Sequence, residues 1–279
     1  MSEHARWSVD ELLVRYDLEP QLADVFVEGA FDKDVLTEVF ASQSREGIFY
    51  QIDVVNIPQE LLDSYGLTSG NKQRVVALSR ELERLGENAR VRCLVDRDLD
   101  HWFGDVEDAG RLRWTRFCSI ESHFISDQIV SDLVIKTANA KVANATVFIL
   151  SLFEILKVLY ALRLADRELS LSQKWVAIKK YLGREGDSLR IDTERYVTAT
   201  LSANAILPQK NAFMDAVRKW QGRLDCDVRL ASRGHDYSEL LALAISQFDG
   251  HRAFKDQSAV ERLFVLLAKS VPSLSDELN

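Results

Sequence analysis

Apolar and polar positions alternate along the first part of the chain in two rhythms. Val9 to Tyr16 carries apolar residues at helical spacing and predicts an amphipathic lead helix. Leu22-Ala-Asp-Val-Phe-Val27 is a short apolar run that stops at Glu28-Gly29, which predicts a buried strand, and a helical stretch follows from Asp32 to Ser42. Phe49 to Ile57 predicts a second strand. Asn71 to Leu85, with Val75, Leu78, Leu82 and Leu85 on one face, predicts another helix. Arg90 to Val95 gives a third strand, broken by Asp96, and Leu112 to Cys118 a fourth. Strands and helices taken in turn predict an α/β fold, a mostly parallel sheet flanked by helices.

Beyond about Ser126 the rhythm changes to long helical runs: Asp127 to Asn139, Ala143 to Asp166, Ser172 to Leu182 and Pro208 to Arg223. Cys226 to Leu230 is expected as a late strand, and Tyr237 to Gln247 and Ser258 to Lys269 as closing helices. The expected organisation is therefore a lead helix (1–19), an α/β core (20–126) and a mainly helical C-terminal portion (127–279) packed on it as a dimer or partner surface. Ala143 to Asp166 is apolar nearly all round, the mark of a central or interface helix. Its most apolar part, Val142 to Phe153, is flanked by Lys141 and Glu154 and falls short of the roughly 20 residues that span a bilayer, so it is expected as a buried helix with no membrane role.

Composition narrows the classes. Twelve Gly and four Pro are scattered over 279 residues, so no stretch looks like a flexible linker. Cys93, Cys118 and Cys226 are odd in number and far apart, which argues against a disulfide framework or a zinc knuckle. The opening MSEHARWSVDELL has charges where a secretion signal needs an apolar segment, and a cytoplasmic location is expected. The net charge of −8 weighs against a protein that grips nucleic acid over its whole surface. A cluster of carboxylates waiting for a cation is itself acidic, however, and a bound ion reverses the local field.

Two acids follow directly on apolar strands, Glu28 and Asp96, and ligands of open α/β sheets sit at the carboxyl ends of strands. Asp96, Asp98 and Asp100 alternate with Arg97 and Leu99, so an extended continuation of the strand would point all three carboxylates to one side. Hard oxygen ligands at this density suit Mg²⁺, with Mn²⁺ as its substitute. Gly29 permits a close approach of a phosphate. Asp32 and Lys33 open the next helix at its positive end, where Asp32 is either a ligand or a cap.

Val27-Glu-Gly-Ala-Phe-Asp-Lys33 and Cys93-Leu-Val-Asp-Arg-Asp98 resemble the Glu motif and the DxD motif of Toprim domains, which occur in primases, topoisomerases and OLD-type nucleases. Thr115 to Ile125 and Arg233-Gly-His-Asp-Tyr-Ser-Glu-Leu-Leu241 resemble a small stand-alone Toprim-like family that includes the nuclease effector of PARIS anti-phage systems. The resemblance covers roughly residues 22 to 245. It implies a Toprim-like sheet and a metal-dependent endonuclease in which Glu28 is a general acid or base or a metal ligand, Asp96 and Asp98 hold the metal for catalysis, and Asp32 and Glu121 complete the acidic site; the alternation of Asp96, Asp98 and Asp100 adds Asp100 as a metal ligand. It also implies RNA, transfer RNA in particular, as substrate, an ABC-type ATPase sensor that holds the effector silent, and a homodimer.

Glu121 is alternatively a first-turn acid complementing a helix dipole. His123 and His235 are by default structural or surface histidines. Gly66-Leu-Thr-Ser-Gly-Asn-Lys72 lacks the GxxxxGK[ST] of a phosphate loop, and Asn71 and Lys72 face the substrate or cap a helix. Arg111, Arg113 and Arg116, interleaved with Trp114 and Phe117, either hold nucleic acid or form a solvent-facing strand edge. The candidate contacts to a phosphate backbone are thus Lys33, Lys72, Arg97, Arg113, Arg116 and His235. Two other functions stay open: a non-catalytic interaction or sensor subunit, and a metal-dependent phosphoryl-transfer enzyme acting on nucleotides.

Overall fold

In the computed structural model, which describes residues 6–43, 45–106 and 109–278, the strands form one four-stranded parallel sheet and two separate two-stranded pairs. The first five residues of the opening segment lie outside the described residues. In chain order the elements are β1 (Trp7–Ser8), α1 (Val9–Leu18), β2 (Val25–Val27), α2 (Ala30–Ser42), β3 (Phe49–Gln51), β4 (Val55–Asn56), α3 (Gln59–Ser64), α4 (Asn71–Leu82), β5 (Arg92–Val95) and β6 (Leu112–Trp114). There follow α5 (Asp127–Val130), α6 (Ala145–Glu168), β7 (Leu182–Glu185), β8 (Ser188–Ile191), α7 (Thr193–Ala203), α8 (Lys210–Gln221), α9 (Gly234–Gln247) and α10 (Gln257–Leu267). The fold is α/β with a helical C-terminal part.

The chain divides into two units, residues 1–120 with 264–279, and residues 121–263. The first holds the sheet, in the order β3-β2-β5-β6 with every pair parallel. Alternation along the strands splits its apolar residues between two faces. Phe26, Cys93, Val95 and Leu112 pack with Leu12 and Tyr16 of α1 and with Val75, Leu78 and Leu82 of α4. Burying a ring such as Phe26, fully enclosed, is worth about 1.5–3 kcal/mol. α2 packs against β3, and the turns at Ala268–Ser270 and Pro272–Asp276 pack on α2. Residues 264–279 thus join the sheet unit, although the helical spacing of Ser258 to Lys269 had grouped them with the C-terminal portion. Ser8 starts α1 with a reciprocal cap: its hydroxyl accepts from Glu11 N and the Glu11 carboxylate accepts from Ser8 N.

Several predicted elements are shorter than their apolar runs. The Phe49–Ile57 strand breaks after Gln51 because the Arg74 guanidinium donates to the carbonyls of Ile52 and Val55, which then need no ladder. The Leu112–Cys118 strand ends at Trp114. Thr115 N makes the last rung to Val95 O, and the Thr115 hydroxyl accepts from Arg97 N and donates to Phe117 O, turning the chain outward.

In the second unit α6 is the central helix, with Leu152, Leu156 and Leu159 buried. At 24 residues it is, by length and composition, long and apolar enough to cross a membrane, and half of its most apolar window is buried within the protein. The Asp127–Asn139 helix continues from α5 as π-helical turns at Ser131–Thr137. No α-helix forms over Ser172–Leu182, where the helical geometry is one 3₁₀ turn at Ile178–Lys180. Ser170 and Ser172 take φ of 52° and 51°, Trp175 is drawn between Tyr196 and Phe213, and the chain enters a hairpin instead. That hairpin pairs Glu185 with Ser188 around a two-residue Gly186-Asp187 turn, with Gly186 at φ 57°. The expected strand Cys226–Leu230 is a 3₁₀ turn, because Asp227 caps Arg229 N.

Candidate functional site

The strand order places the crossing from one half of the sheet to the other between β2 and β5. The chain runs from β2 outward to β3 and from β5 outward to β6. Such a switch point opens a crevice at the carboxyl ends of the two central strands. Glu28 follows β2 and Asp96 follows β5, and one bond joins them: Asp96 N donates to Glu28 Oε1 at 2.9 Å. Asn71, at the start of α4, donates from Nδ2 to the Glu28 carbonyl at 2.9 Å and fixes its main chain.

Beyond Val95 the chain does not continue extended. Asp98 takes φ 43°, a left-handed conformation that Asp tolerates better than most residues, and its N–H donates to Cys118 O. Asp100 begins a 3₁₀ turn to Trp102, its N–H on Arg97 O. The expected one-sided DxDxD array is replaced by a turn that brings Asp98 and Asp100 together on Lys72. The Lys72 ammonium lies 3.2 Å from Asp98 Oδ2 and 2.6 Å from Asp100 Oδ2. It also stands 5.3 Å from the centre of the Trp114 ring.

Charge at this rim is strongly perturbed. Burial pushes the Glu28 carboxyl up to about 7; Lys72 and the Asp96 N–H pull it down, and Asp98 and Asp100 push it further up. Lys72 loses solvation, which works against its charge, but Asp98, Asp100 and Glu28 more than compensate and hold its ammonium above the ordinary lysine value.

The donor chemistry at Glu28, Asp98 and Asp100 is that of a hard divalent cation. Among the described residues, however, no three His, Cys, Asp or Glu side chains stand close enough together to hold a metal ion as they are. The cation between Asp98 and Asp100 is Lys72.

The other candidate residues are dispersed. Asp32 accepts from Gly29 N at 3.1 Å and so serves the start of α2. Lys33 is exposed on the same helix. Arg97 binds through its main chain to Thr115, a contact that strand periodicity alone did not single out. Arg111 donates to the carbonyls of Leu82, Ala89 and Gly86 and clamps the end of α4, and Arg113 turns back to Gly110 O and Leu112 O. Arg116 receives the Glu277 carboxylate on its main-chain N–H and pairs at 3.7 Å with Asp276. The three arginines therefore make no common face, and of their aromatic neighbours Trp114 faces Lys72. Glu121, His123 and His235 belong to the second unit. His123 is buried, and His235 is exposed beside Gln257, 2.8 Å away.

Arg163, in that second unit, was not foreseen. It forks onto Asp236, with Nη2 to Oδ1 at 3.0 Å and Nε to Oδ2 at 3.3 Å, and lies 4.3 Å over Trp175 beside a cavity of about 200 Å³. Nothing in the helical spacing of Ala143–Asp166 distinguishes it from a solvated arginine. No family model and no curated protein matches the sequence.

Proposed function

We propose that the chain is a Mg²⁺-dependent nuclease of Toprim type acting on RNA, with transfer RNA as the substrate class its resemblance points to. The observation that carries this reading is the bond from Asp96 N to Glu28 Oε1, which ties the Glu motif to the DxD motif at the switch point of a parallel sheet. A carboxyl raised to about 7 exchanges a proton near neutral pH, which suits Glu28 to take one from an attacking hydroxyl and return one to a leaving oxygen. Asp98 and Asp100, with Glu28, are the oxygen donors for the ion, with Asp96 anchoring Glu28. Mg²⁺, when bound, supplies charge neutralisation and polarisation of the scissile phosphate. Asn71 keeps Glu28 in place, and Lys72 is a cation that an incoming phosphate would meet at this rim.

The same reading makes the protein a cytoplasmic anti-phage effector, working as a homodimer and held silent by an ABC-type ATPase. Its test is incubation of the purified chain and a Glu28→Gln variant with total RNA, plasmid and single-stranded DNA, in Mg²⁺ or EDTA. Metal-dependent RNA cleavage lost in the variant supports the reading.

One observation favours a second reading. With Lys72 in the cation position, part of the charge on the acids is already balanced, as in a non-catalytic Toprim-like scaffold or an effector resting under its partner. Cleavage by the purified chain separates the nuclease from the scaffold.

A further inference from the structure

At the amino ends of β2 and β5, away from Glu28 and Asp96, Arg45, Arg90 and Arg92 line a cavity of about 280 Å³ in a protein of net charge −8. Strand register explains part of the gathering. Arg92 opens β5 opposite Val25. Arg113 on β6, opposite Leu94, lies on the same face of the sheet, two positions on from Arg92. Arg45 follows α2 and is 4.3 Å over the Phe40 ring.

Among the described residues these cations meet little negative charge. Arg92 is pushed below the ordinary arginine value, first by burial and then by the positive charges of Arg113, Arg90 and Arg45. Main-chain carbonyls take two bonds, Arg45 Nη1 to Ser275 O and Arg92 Nη1 to Leu278 O, both at 2.9 Å. Among the described residues the carboxylate paired with the three is Glu46, 3.9 Å from Arg90 Nη1, with its side chain 85% exposed. An exposed pair at that distance contributes little. Arg90 is itself 56% exposed, so water screens part of the repulsion, but three guanidinium groups lining one cavity still favour an anion, and their forks match the oxygens of a phosphoryl group.

We propose that this cavity binds phosphoryl anions of phosphate or pyrophosphate size. Its volume lies just under the roughly 300–1,000 Å³ of small-molecule sites, which favours a phosphoryl group over a whole nucleotide. The inference does not rest on the nuclease reading, because none of its residues belongs to the acid rim. The same chemistry comes from two sources, a free inorganic anion and the terminal phosphate of an RNA.

The test is calorimetric titration of the full chain with inorganic pyrophosphate in EDTA, which keeps divalent ions from bridging the anion to the acid rim. Saturable binding that weakens with added salt is expected, retained in Glu28→Gln and about tenfold or more weaker in an Arg45→Gln/Arg90→Gln double variant whose circular dichroism matches the parent. Repeating the titration with a short 5′-phosphorylated RNA present distinguishes the sources: competition assigns the site to RNA termini, and its absence assigns it to the free anion. No saturable binding by the parent chain, or equal binding by the folded double variant, overturns the proposal.

Discussion

Lys72 and Asp100 form a close ion pair at the acid rim, 2.6 Å between Nζ and Oδ2, with both side chains only 16% exposed. A charge pair this sheltered does more than a surface bridge, because removing one partner leaves the other desolvated. Lys72→Met is therefore expected to destabilise the metal-free chain by about 1–3 kcal/mol, the cost of leaving a partly buried group unsatisfied. The same variant should gain more thermal stability from added Mg²⁺ than the parent does, since the competing ammonium is gone. Melting curves with Mg²⁺ and with EDTA check both; a variant as stable as the parent and indifferent to the ion would contradict them.

The raised Glu28 carboxyl has a pH signature. Its value in the folded chain, about 7, exceeds the ordinary 4.5, so the folded state binds the proton more tightly than the unfolded state does. The stability this supplies is fully present below 4.5 and is lost as the pH rises through about 7. Glu28→Gln, which cannot ionise, is expected to gain on the parent between pH 5 and pH 8 by on the order of 2–3 kcal/mol. Urea unfolding at the two pH values measures the gap, and a constant difference would show that Glu28 is not shifted.

Much of the α/β unit was legible because the apolar residues Val25–Val27 and Cys93–Val95 each lead straight into an acid. The strand order was not legible, and with it the reason why Glu28 and Asp96 meet. Lys72 could be named as a candidate, but helix spacing says nothing of a side chain that reaches past Trp114 to a turn after another strand. The turn itself departs from the extended DxDxD reading because Asp98 adopts a positive φ, which no periodicity reports. The hairpin after Tyr181 was missed although Gly186-Asp187 is a two-residue turn signal. The apolar positions from Trp175 to Leu182 also fit a helix, so periodicity alone does not separate the two.

In the second unit, Asp236→Ala would leave Arg163 buried without its carboxylate. Both side chains are sheltered, 14% and 5% exposed. A loss of about 3–5 kcal/mol is expected, as for other broken buried pairs. Chemical denaturation followed by tryptophan fluorescence, with Trp175 beside the pair, reads it; a loss under about 1 kcal/mol, the range of a surface bridge, would mean that solvent reaches the pair.

Gly47 has φ 137°, and a Cβ there would lie 2.6 Å from the Ala23 carbonyl oxygen, a main-chain atom that cannot swing aside. Gly47→Ala is expected to cost about 1–3 kcal/mol from backbone strain alone, with the clash in addition. Gly70→Ala, at φ 124° with open space around it, is the control for conformation without collision. Equal melting temperatures for the two variants would count against the clash.

Exchange of the Lys72 ammonium for a divalent ion at Glu28, Asp98 and Asp100 is read most directly by calorimetric titration of the metal-free chain with Mn²⁺, which needs no partner or substrate. Saturable binding is expected in the parent, tighter at pH 8 than at pH 6, and lost in an Asp98→Asn/Asp100→Asn double variant that remains folded. An absence of saturable binding in the parent, or binding unchanged in that variant, would rule out that exchange.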